Sequence, residues 1–525
     1  MLALFVTNVY RAATQSIAHD EALIFEWLLS GSWSQVLNFE HGNHHVLTDL
    51  LSKLMITIFG TSEIALRTPS LLGGLLYFYA VFQISVLLFG EAYLLLLSVA
   101  FLCLNPFFLD YLSYARGYGL ALGFFFYALY QLIEYLAESP DGRDSSRPAR
   151  LLNKAGIALG LSIGSNPIMI FPGGALVASF VAMLFIESVI RRPEPVAVVA
   201  AKEKTPRSRK ERRRSSRHET ASKPRMRGWE LALLHFVLPA AAIAGFLLLL
   251  PKRLIELEVG YLGPPSLTAI LEPLIRFSFV HSPAGYAGLA AWFPAAMAIR
   301  IVTYFVVPAS LAVLVVLAVR ILVNWIRKRN LGALPVLDRF LLLLGGMLPT
   351  AIVLIVLSRY LFQQPYPELR TAVYWIPLLG LAYLSFLRRL GLGSNIERIF
   401  SVPVAAVLIL CVAQFVTQFN SRYFAEWSYC AAGKDMMQIV RTDHEAKPGR
   451  RVKVGATWQL EPVINFYRVA WGLDWMDPVY RESPDRVNDY YLLAYGDTSL
   501  VEKLRLKPLL SDRLSGTVLA KRTDL

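Results

Sequence analysis

The sequence predicts a mostly α-helical, polytopic membrane protein with about eleven transmembrane helices and a small α/β extracytoplasmic domain at its C-terminal end. Three observations carry this. Of 525 residues, 55% are hydrophobic and only 17% are charged, and the mean hydropathy is +0.47, far from the balance of soluble globular chains. Apolar stretches of about 18 to 25 residues, each long enough to cross a hydrocarbon core of about 30 Å as a helix, recur along most of the chain. Beyond residue 420 the pattern changes to short alternating runs.

The opening segment "MLALFVTNVYRAATQSIA" has neither the basic start nor the cleavage site of a signal peptide, and it is read as the first span. Further spans are expected at 64–89, 91–110, 117–137, 151–168, 169–190, 230–251, 297–325, 339–358, 371–387 and 400–418. Within 14–63, "EALIFEWLLSG" and "VLTDLLSKLMITIFG" are too polar to span but keep helical apolar spacing, which suits helices lying in the interface. After residue 420, "RVKVGATW", "DYYLLAYG" and "GTVLAKR" read as strands separated by helical segments.

The formal charge of +14 is concentrated in one place. Residues 191–228 hold 14 Lys and Arg against 4 Asp and Glu, a surplus of +10. This Arg-, Lys-, Ser- and Pro-rich segment has no apolar periodicity and is expected to be a disordered cytoplasmic tether beside anionic lipid, so nucleic acid is not an expected partner. Arg143, Arg147, Arg150, Arg327, Lys328, Arg329, Arg388, Arg389 and Arg398 fall on the same side when eleven spans are threaded, and the positive-inside rule makes that side cytoplasmic. The expected organisation is therefore an N-terminal transmembrane half, 1–190, with an outer loop at 14–63, the basic loop 191–228, a second transmembrane half at 229–420 and an outer domain at 421–525. Cys103, Cys411 and Cys430 are scattered and specify no disulfide framework, which fits a bacterial inner (plasma) membrane.

Chemistry that needs water belongs to the outer segments. His19, Asp20 and Glu21 stand together just past the first span; Asp20 is either the cap of the helix that follows or a working carboxylate. The same loop returns Glu40, His41, Asn43, His44 and His45, a cluster not read as a zinc site. Arg67 opens the second span, and Asp110, Arg116 and Tyr118 occupy the turn between two later ones. Snorkelling to the interface accounts for either arginine singly. Arg359, Glu368 and Arg370 come back to the outer face after the basic loop. One acidic cluster with several arginines suits attack by an acceptor hydroxyl on a sugar held by a polyprenyl phosphate. The phosphate leaving group needs cations and no general acid, and the acceptor needs one carboxylate as base. A hydrolase would use two positioned carboxyl groups. Arginines can supply all the positive charge, so a divalent metal is not demanded, and metal dependence stays open.

At these residues the sequence resembles the GT-C glycosyltransferases, in particular the protein O-mannosyltransferase and aminoarabinose-transferase-like branch, glycosyltransferase family 39. The resemblance spans residues 1–420 and rests on Asp20–Glu21 in the first outer loop, "HHVL" at 44–47, "LRTPS" at 66–70 and "ARGY" at 115–118. In the second element His45 and Val46 stand where the family has prolines. The resemblance implies Asp20 as catalytic base or acceptor-orienting carboxylate, Glu21 supporting it, and His44, Arg116 and Arg370 near the lipid phosphate; Arg67, Tyr118, Arg359 and Glu368 are the further substrate-site candidates of the outer face. It also implies a polyprenyl-phosphate-linked sugar donor, a glycan, lipid or protein acceptor, a GT-C fold in the bilayer, and a site on the extracytoplasmic face. Two other classes stand beside this one. A secondary transporter would use helix breaks such as "LNPFF" at 104–108 and "GSNPIM" at 164–169, but the halves show no internal repeat and the charges gather at one surface, not at the bilayer midplane. A non-catalytic scaffold would retain the fold without the chemistry.

Overall fold

The computed structural model describes residues 1–37, 45–138, 146–190, 226–249, 266–281, 297, 299–446 and 449–523. Among these, eight helices are long and apolar enough to cross a membrane: Glu63–Leu88, Tyr118–Ala137, Pro167–Ile190, Gly228–Leu249, Ile299–Lys328, Val336–Phe362, Leu369–Gly391 and Asn395–Thr417. The chain is thus a multi-pass membrane protein, but the count of eleven is not confirmed. The other three expected spans are helices of a different kind. Leu2–Thr14 has 13 residues and Ala92–Cys103 has 12, both short for a hydrocarbon core of about 30 Å. Arg147–Ser165 is long enough at 19 residues but carries Arg147, Arg150 and Lys154. The span expected at 91–110 breaks because Asn105 starts a new helix, Pro106–Tyr111, with Pro106 in its first turn and the Asn105 side-chain oxygen accepting from Phe108 N at 3.0 Å.

Burial separates inner helices from peripheral ones. The most apolar stretch of Tyr118–Ala137 is 67% buried, against 22% for Ile299–Lys328 and 11% for Asn395–Thr417. Tyr118–Ala137 crosses Glu63–Leu88 so closely that a Cβ on Gly123 would lie 2.2 Å from the Gly73 carbonyl oxygen. Small residues are what allow such an approach in a membrane. On its other side Ser162 of Arg147–Ser165 donates to Ala121 O at 2.7 Å.

The two amphipathic stretches within 14–63 form helices, one as His19–Ile24 followed by a π turn at Phe25–Leu29, the other as Val46–Phe59. The C-terminal region builds a four-stranded sheet in the order β1-β2-β4-β3 from β1 (Val454–Ala456), β2 (Tyr490–Leu493), β3 (Lys507–Asp512) and β4 (Thr517–Lys521). β1 runs parallel to β2 after a crossover containing the helix Glu461–Ala470, and β4 pairs antiparallel with both β2 and β3. β2 is buried throughout. β3 is the exposed edge, and Pro508 with a register shift before Leu510 blunts it against further pairing.

This region is fastened to the membrane part by polar contacts. Tyr467 donates its hydroxyl proton to Glu63 at 2.9 Å and accepts from Ile17 N at 2.9 Å. Lys434 pairs with the same Glu63 at 2.8 Å.

Candidate active site

Three sequence motifs meet at one carboxylate. Glu21 is fully buried. Its Oε1 accepts from Arg67 Nε at 2.9 Å and Ala115 N at 2.6 Å, and its Oε2 from Arg67 Nη2 at 2.6 Å and Ala18 N at 2.9 Å. The remaining Arg67 donors go to the carbonyl oxygens of Ala12 at 3.0 Å, Gln15 at 2.9 Å and Ser16 at 2.9 Å. Arg67 therefore caps the last turn of Leu2–Thr14, where unpaired carbonyls favour a cation. Glu21 caps the first turn of His19–Ile24 from its third position. All five guanidinium N–H groups and the four acceptor positions of the carboxylate are used.

That saturation separates Asp20 from its neighbour. Asp20 retains 15% side-chain exposure and pairs through Oδ2 with Arg370 Nη2 at 3.1 Å. Arg370 also pairs through Nη1 with Glu426 at 3.2 Å and lies over the Trp427 ring at 5.4 Å. Trp427 in turn stacks on Tyr114, with ring centroids 4.3 Å apart. Burial pushes the Glu426 carboxyl up, with Arg370 pulling the other way, and burial raises Tyr114 well above its ordinary value, reinforced by the nearby charges of Asp20 and Glu21. Arg370 is aimed by an unusual turn: Leu369, just before it, sits at φ +46°, a conformation costly for a branched residue. The turn is closed by Glu368 N donating to Thr371 Oγ1 at 2.7 Å and Thr371 Oγ1 donating to Glu368 O at 2.8 Å.

Asp110 brings the segment carrying Glu426 into place. It is buried, forms an ion pair with Arg11, and lies 2.9 Å from His281 Nε2. Its Oδ2 also accepts from Ala425 N at 2.8 Å. Tyr423 donates its hydroxyl proton to His281 O at 2.9 Å, so residues 423 and 425 are both held where Glu426 can reach Arg370.

A second buried pair lies behind Tyr118. Burial pushes Asp49 up to about 7, with the Arg116 charge opposing it; Asp49 accepts from His45 N at 2.8 Å. The Tyr118 ring is 5.7 Å from His45 and 5.2 Å from Tyr111. Arg116 is buried, and its Nε has no hydrogen-bond partner among the described residues. The turn that carries it requires glycine next: a Cβ on Gly117 would lie 1.9 Å from Ser165 O.

Several expectations change accordingly. Glu21, expected beside the catalytic base, has all of its acceptor positions occupied. Arg67, expected in the substrate site, has all five of its donors paired. Arg359 packs over Tyr366 at 5.9 Å, and Glu368 shapes the Arg370 turn through its backbone, so neither joins the Asp20 cluster. Asp20, Arg370, Arg116 and Tyr118 remain, while His44, with Glu40, His41 and Asn43, lies outside the described residues. Sequence reasoning missed Glu426, Trp427, Tyr114 and His281. Only Asp110, a lone acid in an apolar run, carried a signal; Glu426 follows the last span in a segment with no motif. Among the described residues no three His, Cys, Asp or Glu side chains are grouped as metal ligands.

Fold and site together define a multi-pass membrane protein that gathers one part-exposed carboxylate and an arginine clamp at one end of its helices. No family profile matches the chain, and no curated protein matches it. Among solved structures it is similar to ArnT from Cupriavidus metallidurans bound to undecaprenyl phosphate, at 13% identity over 99% of this chain and 96% of that one, with a TM-score of 0.41. It is also similar to the Archaeoglobus fulgidus oligosaccharyltransferase in complex with zinc and sulfate, at 12% identity over 99% and 72% of the two chains, TM-score 0.43. A third likeness is to the archaeal oligosaccharyltransferase AglB from the same organism with an inhibitory peptide and a dolichol-phosphate, at 11% identity over 99% and 74%, TM-score 0.39.

Proposed function

We propose that the protein is an integral-membrane glycosyltransferase that moves a monosaccharide from a polyprenyl-phosphate donor to an extracytoplasmic acceptor, a glycan, lipid or protein, with inversion at the anomeric carbon. The observation that carries this reading is the division of labour in the acidic pair: Glu21 is spent on holding the loop, while Asp20 stands part-exposed against Arg370. In the proposed step the acceptor oxygen bonds to the anomeric carbon as its hydroxyl proton passes to Asp20. The bond from that carbon to the phosphate oxygen breaks, and the polyprenyl phosphate leaves with its electron pair. Arg370 and Arg116 are the cations available to hold the departing charge, and Tyr118 lines the approach. Further support comes from an apolar groove of about 630 Å³ whose lining includes Phe101, Leu274, Leu379 and Phe415 and reaches Trp375, five positions after Arg370. A polyprenyl tail lying there would put its phosphate at the site end of the helices.

The test is incubation of the purified protein in lipid with radiolabelled polyprenyl-phosphate monosaccharides and cell-envelope acceptors, comparing wild type with Asp20→Asn. Donor consumption by wild type that falls about 100-fold or more in the variant supports the assignment. A fully active Asp20→Asn protein would refute the role of Asp20, and failure of wild type to consume any donor would count against glycosyl transfer itself.

A further inference from the structure

A second cavity, of about 480 Å³, opens at the other end of the same helices. It is lined by one face of Val307–Lys328, which presents Val313, Val316, Arg320 and Asn324 at successive helical turns, and by Phe386 and Arg389 near the end of Trp375–Gly391. Arg370 precedes Trp375 at the opposite end of that helix, so this cavity and the Asp20 site lie at opposite faces of the membrane part. The lining carries two cations, Arg320 and Arg389, and two carboxylates, Asp338 and Glu397, but they are unevenly paired. Arg389 pairs with Asp338 at 3.4 Å, and Glu397 is committed to the cap of its own helix, accepting from Ser394 N at 2.6 Å. Arg320 is exposed, and among the described residues no carboxylate pairs with it. It lies eight residues before Lys328, about 12 Å inside the helix end.

An unmatched arginine at that depth is costly in hydrocarbon and marks a place where a counter-charge enters. The walls name the kind of counter-charge. The pocket is polar where Arg320, Asn324, Asp338, Arg389 and Glu397 line it and apolar where Val313 and Phe386 also line the groove that runs toward Trp375. A free inorganic anion would satisfy only the polar end. We infer that this cavity binds an anionic glycerophospholipid, its headgroup phosphate on Arg320 and Asn324 and an acyl chain along the Val313–Val316 wall.

The experiment is native mass spectrometry of the full-length protein, delipidated in detergent and titrated with phosphatidylglycerol or phosphatidylcholine. Wild type is expected to hold phosphatidylglycerol in preference, Arg320→Gln to hold it about fivefold less tightly, and Arg320→Lys to recover part of the difference. Arg320→Gln removes a charge from a membrane-crossing helix, so insertion is not compromised, and an unchanged melting temperature checks the fold. Equal retention of both lipids, an unaffected Arg320→Gln protein, or displacement of the lipid by inorganic phosphate alone would overturn the inference. The outcome is independent of any glycosyl-transfer activity.

Discussion

Asp20 and Glu21 are adjacent in sequence and opposite in circumstance, and the difference is hydrogen-bond accounting. Glu21 with Arg67 forms a buried, fully satisfied ion pair, so removing one partner strands a charge at a cost of about 3–5 kcal/mol. Glu21→Gln is therefore expected to lower the melting temperature and the yield of the purified protein. Asp20→Asn, at a part-exposed carboxylate, is expected to leave melting unchanged while abolishing transfer; scanning calorimetry of both variants beside the donor assay separates the two roles. Arg370→Gln should raise the KM for the donor and, because it leaves the buried Glu426 carboxyl without its cation, also lower the melting temperature. Unchanged donor binding in that variant would remove Arg370 from the phosphate site.

At the scale of elements, the site is assembled by chain breaks, not by the long helices themselves. The short helix Pro106–Tyr111, the turn around Gly117, the Leu369 turn and the segment after the last span each deliver one or two side chains. Asp110 ties two of these breaks together. Asp110→Asn should release residues 420–430, seen as faster backbone hydrogen exchange there with the spans unaffected; exchange identical to wild type would mean that the segment is held by other contacts. The positions of these breaks were partly legible. Asn-Pro at 105–106 and Gly117 are visible punctuation, and the amphipathic helices of the first loop follow from spacing. The Leu369 turn was not legible, because a leucine at positive φ is imposed by its surroundings and has no local signature.

At the scale of the whole molecule, the loop after the first helix and the C-terminal region meet at a pair of carboxyl groups. Glu26 accepts from Asn465 at 2.9 Å, and the same Asn465 donates to Glu461 at 3.1 Å. Burial, then the charge of Glu461, raises the Glu26 carboxyl to about 7. An acid whose pKa is raised on folding holds its proton better in the folded state, so its contribution is fully present below its unfolded value and is lost as pH rises through the folded one. The melting temperature of wild type should fall between about pH 5 and about pH 8 more steeply than that of Glu26→Gln; parallel profiles would remove Glu26 as the group responsible.

The sequence by itself determined the solvent, the succession of helices, the amphipathic first loop and the strands now seen as β1, β2 and β4, because these follow from local composition and periodicity. It also marked the motifs around Asp20, Arg67 and Arg116. Only the tertiary structure decided which of those side chains are already saturated by partners. Whether a carboxylate or guanidinium is saturated depends on partners 46, 94 or more positions away in the chain, as Glu21 with Arg67 and Ala115 shows. The same holds for Arg370, which is joined to Asp20 by a fold contact and not by any pattern in the chain.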